Sequence, residues 1–154
     1  MTHAVQTSWI DLAPGGISGY LALPPLGHGP GLLLWQEIFG VNEHIRDVAS
    51  QYALAGFVVL APDVFWRQTP RADLGYDAGS RPQAVALMQA CTAAPDLLLA
   101  DIALCAAALR ARPEVDGRVG SIGYCMGGRL SYQAAATAGV EAVWPITAAA
   151  SRAS

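Results

Sequence analysis

The chain has 154 residues and a net charge of −3, with 53% hydrophobic and 14% charged residues. That length suits one domain with a real core, burying about two-thirds of its unfolded surface, and the composition excludes a disordered chain. All nine basic residues are arginine, with no basic run, so nothing marks the chain for nucleic acid or an anionic membrane.

The opening "MTHAVQTSWID" lacks the basic start and apolar run of a signal peptide. No stretch approaches the ~18–20 uncharged apolar residues of a membrane span; the most apolar region, 84–109, is broken by Pro95, Asp96 and Asp101. The cysteines at 91, 105 and 125 make no paired framework and no metal-type Cys-x-x-Cys spacing. The expected setting is a reducing cytoplasm with free thiols.

In chain order, "AVQTSWIDL" and "GISGYLALP" flank Pro14-Gly15-Gly16 and read as two strands joined by a turn. "LLLW", after "GHGPG", suits a strand buried on both faces. Asn42 is an N-cap for a helix with apolar Ile45, Val48, Ala49, Tyr52 and Ala53, stopped by Gly56. "FVVLAP" is a second buried strand, and residues 63–82 form a loop longer than a connector needs.

Helices follow at about 82–92 and 95–111, the second with Pro95 near its start and Leu98, Ile102, Cys105 and Leu109 on one face. "GRVGSIGY" is a strand, 126–138 a helix closed by Gly139, and "VEAVWPI" the last strand. Helices that alternate with strands imply an α/β fold with a mostly parallel sheet. Ligands of such sheets gather at the carboxyl ends of the strands. Three segments fall there: "QEIFG", "DVFWRQ" and "GYCMGG".

The last of these, residues 123–128, has the pattern Gly-x-nucleophile-x-Gly between a strand and a helix. Small residues let the backbone fold tightly around Cys125, and the helix that starts there favours thiolate. The N–H of Met126 would face an oxyanion. Cys91 and Cys105 fall on apolar helix faces, where core packing accounts for them. A neutral thiol needs a base, and Glu37, just after an apolar strand, can supply one. The glycines spell no dinucleotide fingerprint, and a chain without lysine has no Walker-type motif, so no cofactor and no metal are expected.

Together "QEIFGVNEHIRDVA", "APDVFWRQTP" and "VGSIGYCMGG" resemble the dienelactone hydrolase family of α/β-hydrolases, to about residue 145. The resemblance implies an α/β-hydrolase-type sheet with flanking helices. It implies hydrolysis of an enol-lactone such as a carboxymethylenebutenolide, in the breakdown of aromatics. It assigns Cys125 as nucleophile and Glu37 as the carboxylate that meets the resting thiol. It also gives the N–H groups of Ile38 and Met126 to the oxyanion, Arg81 to the substrate carboxylate, and Phe39 and Trp66 to the apolar walls.

One part of the pattern is missing. Hydrolases of this fold carry nucleophile, acid and histidine in that order, yet no Asp and no His follows Cys125, and the later acid is Glu141. The histidines at 3, 28 and 44 all precede it. Of these His3 lies in an unanchored terminus and His28 in a turn at the sheet's other end. His44 opens a helix nearer Cys125 but reads as a solvated side chain.

Residues 1–154 are therefore expected to form a single α/β-hydrolase domain, incomplete at the C-terminus, whose lactone turnover is weak or absent. Its partner would be a small lactone or ester, and strand 141–146 would be an apolar edge open to self-association. The alternative is a non-catalytic α/β remnant that binds a ligand or a partner chain.

Overall fold

The computed structural model describes residues 4–13, 16–124, 130 and 142–146. The strands are β1 (Gln6–Asp11), β2 (Ser18–Leu23), β3 (Gly29–Trp35), β4 (Val58–Pro62), β5 (Val115–Tyr124) and β6 (Ala142–Ile146). The helices are α1 (Glu43–Leu54), α2 (Arg81–Thr92) and α3 (Pro95–Arg110). One sheet holds all six strands, in the order β1-β2-β4-β3-β5-β6.

β1 and β2 form the expected hairpin, Gln6 opposite Leu23 and Asp11 opposite Ser18, and β2 lies antiparallel to β4. β3 is parallel to both β4 and β5, and β5 is parallel to β6. The sheet is mixed at one side and parallel through its centre. Crossover helices α1, α2 and α3 link the parallel strands, as that direction demands.

The side chains of β3 explain why it is apolar throughout. Leu33 and Trp35 join one core with Leu60, Leu98, Ile102, Cys105 and Leu109. Leu32 and Leu34 join the opposite core with Val59, Ile45, Val48, Ala49 and Ala53. Successive strand residues point to opposite faces, and helices cover both, so neither face tolerates a polar residue. The exception is tied down: the indole N–H of Trp35 donates to Ser121 Oγ at 2.7 Å, joining β3 to β5 inside the core.

α1 begins as its sequence requires. Asn42 is extended, and its side-chain oxygen accepts from the Ile45 N–H at 3.2 Å, which satisfies one orphan donor of the first turn. Gly56, φ +112°, makes the left-handed exit. α2 and α3 both start with proline in the first turn, where its missing N–H costs nothing. The helix expected over 126–138 lies outside the described residues, apart from Leu130, which is helical and buried.

Candidate active site

Register brings two of the expected segments together. β3 and β5 run parallel with Leu34 opposite Ile122 and Trp35 opposite Gly123. Their carboxyl ends therefore lie side by side. Glu37 stands two residues beyond Trp35, and Cys125 two residues beyond Gly123. Cys125 and Met126 themselves lie outside the described residues.

Beyond β3 the chain turns back on itself over Glu37–Gly40, where the Gly40 N–H reaches the Glu37 carbonyl at 3.3 Å. Gly40 has φ +85°, and a Cβ on it would stand 2.1 Å from the Ala72 carbonyl oxygen. Only glycine lets the long loop lie directly on this turn. The loop is fastened there by the Leu74 N–H on the Phe39 carbonyl, 3.0 Å. The Asn42 amide adds a hydrogen bond to the Leu74 carbonyl at 3.1 Å. Arg46 joins the Val41 carbonyl to the Asp73 carboxylate at 2.9 and 3.2 Å.

This fastening delivers Tyr76 to the site. Its hydroxyl donates to Glu37 Oε1 at 2.8 Å, across 39 positions of sequence. Its ring packs edge-on against Phe39, 4.6 Å between centroids, and near His44 at 6.3 Å. Glu37 and Ile38 are half-buried, and Phe39 is buried. Behind them Gln36, fully buried, spans the ends of β3 and β4. Its amide donates to the Glu37 carbonyl, and its oxygen accepts from the Val64 N–H.

Trp66 is held elsewhere. Its indole N–H donates to Asp101 of α3 at 3.1 Å, and Arg67 grips the same carboxylate at 2.6 and 3.1 Å. The Arg67 guanidinium also stacks over the Trp66 ring at 4.5 Å. Trp66 lines a cavity of about 360 Å3 with Asp11, Ser18, Asp63 and Arg71, whereas Tyr76 and His44 line another of about 340 Å3 with Asp73. Arg81 is the first residue of α2 and is exposed. His28 hydrogen-bonds Asp116 at 2.6 Å, at the amino ends of β3 and β5, so it stands at the opposite edge from Glu37.

The other two thiols are poorly suited to attack. Burial pushes Cys91 up to about 11 and pushes Cys105 up further, with the nearby Asp101 carboxylate adding to both. Asp63, at the end of β4, is raised to about 6 by burial, against the Arg71 N–H and charge. Sequence reasoning missed Tyr76, Asp63 and Asp101. For Asp63 and Tyr76 the length of the loop was the one signal of nearby chemistry, and for Asp101, on α3, it was an acid midway along an apolar helix.

The dienelactone hydrolase family model matches residues 17–147. The chain belongs to the dienelactone hydrolase family. It is 38% identical over 129 residues to a carboxymethylenebutenolidase of Pseudomonas sp., covering 82% of this chain and 53% of that one. It is 35% identical over 123 residues to carboxymethylenebutenolidase 1 of Cupriavidus pinatubonensis, covering 79% and 52%. The fold superposes on a dienelactone hydrolase-like promiscuous phosphotriesterase from metagenomic libraries with a TM-score of 0.69 and 28% identity. That match covers 86% of this chain and 54% of the other. The chain spans about half the length of these relatives, and it shares their α/β-hydrolase architecture over that span.

Proposed function

We propose that this chain carries the nucleophilic half of a cysteine-dependent hydrolase for carboxylic esters, with an enol-lactone of the carboxymethylenebutenolide type as substrate class. What supports the reading is the β3–β5 register, in which Glu37 and Cys125 each follow by two residues a member of the pair Trp35 and Gly123. Family membership agrees with it.

In the proposed step, Cys125 Sγ attacks the ester carbonyl carbon while its proton passes to the Glu37 carboxylate. The tetrahedral oxyanion is met by the N–H groups of Ile38 and Met126. Such donors matter because they face the charge as it develops. The ring C–O bond of the lactone then breaks, leaving on Cys125 a thioester whose ring-opened chain still carries the enolate, which is protonated in place. Phe39 supplies an apolar wall, Arg81 a cation for a substrate carboxylate, and Trp66 a more distant wall.

Water must then cleave the thioester, and general acid–base help for such steps is worth typically 10²–10⁴-fold. No Asp or His follows Cys125 in this sequence. When residues 1–154 are assayed by themselves, with neither group supplied after Cys125, the acyl form should accumulate and lactone turnover should be weak beside it. Mass spectrometry after brief exposure to p-nitrophenyl acetate tests this. One acetyl group on Cys125, lost in Cys125→Ala and formed slowly in Glu37→Gln, is the expected result. An unmodified Cys125 would leave the chain as a non-catalytic binding module.

A further inference from the structure

We propose that Tyr76 is a positioning residue, whose hydroxyl holds the Glu37 carboxylate in the orientation from which it takes the Cys125 thiol proton. The inference rests on the reading of Glu37 as base, and adds a residue that the strand ends alone do not reveal.

A glutamate side chain has three free torsions and loses them only when something holds its head. Here the Tyr76 hydroxyl holds Oε1 at 2.8 Å, which leaves Oε2 outside that bond to take the proton. Tyr76 can do this because it is itself fixed. Its ring stands against Phe39, and two residues earlier Leu74 is bonded through its N–H to Phe39 and through its carbonyl to Asn42. Phe39 is buried and Asn42 caps α1, so the hydroxyl is referred to the sheet and not to a loose loop.

Exposure argues the same way. Tyr76 is 55% exposed, and a ring so open adds little to stability by burial. Its hydroxyl is hydrogen-bonded to the carboxylate. A misplaced catalytic group can slow a reaction about 100-fold with no change in the fold.

The experiment is a double-mutant cycle on the acylation burst with p-nitrophenyl acetate, using Tyr76→Phe, Glu37→Gln and the pair. Tyr76→Phe keeps the ring and removes one oxygen. The expected result is about a tenfold loss in the acylation rate constant at saturating ester. The half-saturating concentration and the urea midpoint stay unchanged, and the double variant is no slower than Glu37→Gln alone. A Tyr76→Phe rate equal to the parent, or losses that multiply in the double variant, would overturn the proposal and leave the thiol reading standing. An unaltered rate in Glu37→Gln, or acetyl found on no residue 125, would bring down the base reading and the role of Tyr76 with it.

Discussion

Asp63 accepts a 2.6 Å hydrogen bond from the Arg71 backbone N–H through Oδ2, while its Oδ1 is buried with no partner among the described residues. The bond ties the start of the long loop to Arg71, eight residues on, where the backbone has φ +54° and the guanidinium lies over Trp9 at 4.8 Å. A carboxylate placed this way is only half solvated by the protein. Burial therefore wins over the nearby Arg71 and raises Asp63 to about 6.

The sign of the pH dependence follows. The folded value lies above the unfolded 3.8, so the native state binds the proton more tightly. Stability from this group is full below about 4 and is lost as pH rises through about 6. Asp63→Asn keeps an oxygen for the Arg71 N–H and removes the buried charge. Urea unfolding should find it more stable than the parent at pH 8, by at most about 3 kcal/mol, with the gap closing toward pH 4. A gap that widens in acid would contradict the assignment.

The Asp101 carboxylate gathers Arg67 and Trp66 on one buried acceptor. Asp101→Ala strands both donors, and should cost about 2–4 kcal/mol by urea unfolding, less than a fully buried pair because Arg67 is partly solvated. Trp66→Phe keeps the ring and loses one hydrogen bond, so about 1 kcal/mol is expected.

Brief iodoacetamide treatment and peptide mapping should label Cys125 well before Cys91, and Cys105 last. Cys91 and Cys105 are buried thiols held above the ordinary range, and the thiolate is the form that reacts. Equal labelling of the three under native conditions would count against an elbow at residue 125.

Gly40→Ala meets both a left-handed backbone and the Ala72 carbonyl. A loss of about 1–3 kcal/mol is expected from the backbone alone. The loop must also lift, so Tyr76 should leave Glu37. Acylation of Cys125 should then fall at least as far as in Tyr76→Phe, which stopped-flow bursts of both variants would compare.

How legible was all this in the sequence? The described strands and helices were, because their signals are periodic. Leu32 to Trp35 must alternate between two covered faces, and Ile45, Val48, Ala49 and Ala53 must share one. Glu37 could be placed at a strand end by counting. Tyr76 could not, since nothing in "DLGYDAGS" fixes how a loop returns to a turn more than thirty residues earlier. The meeting depends on Gly40 giving space to Ala72. Trp66 was legible as an aromatic near a strand end, but its direction depends on Asp101, an acid on an otherwise apolar helix.

The loop's fastenings are unevenly spread. From Asp63 to Tyr76 it is bonded to α1, α3 and the turn after β3. Among the described residues, the hydrogen bonds over Asp77–Ser80 are local, with the Ser80 hydroxyl on Asp77 at 2.8 Å and the Ser80 N–H on the Asp77 carbonyl at 3.2 Å. Natural length variation should concentrate at this second stretch, where added residues displace no anchor. A peptide tag inserted after Ala78 should leave Tyr76 seated, whereas the same tag after Asp73 would pull it from Glu37.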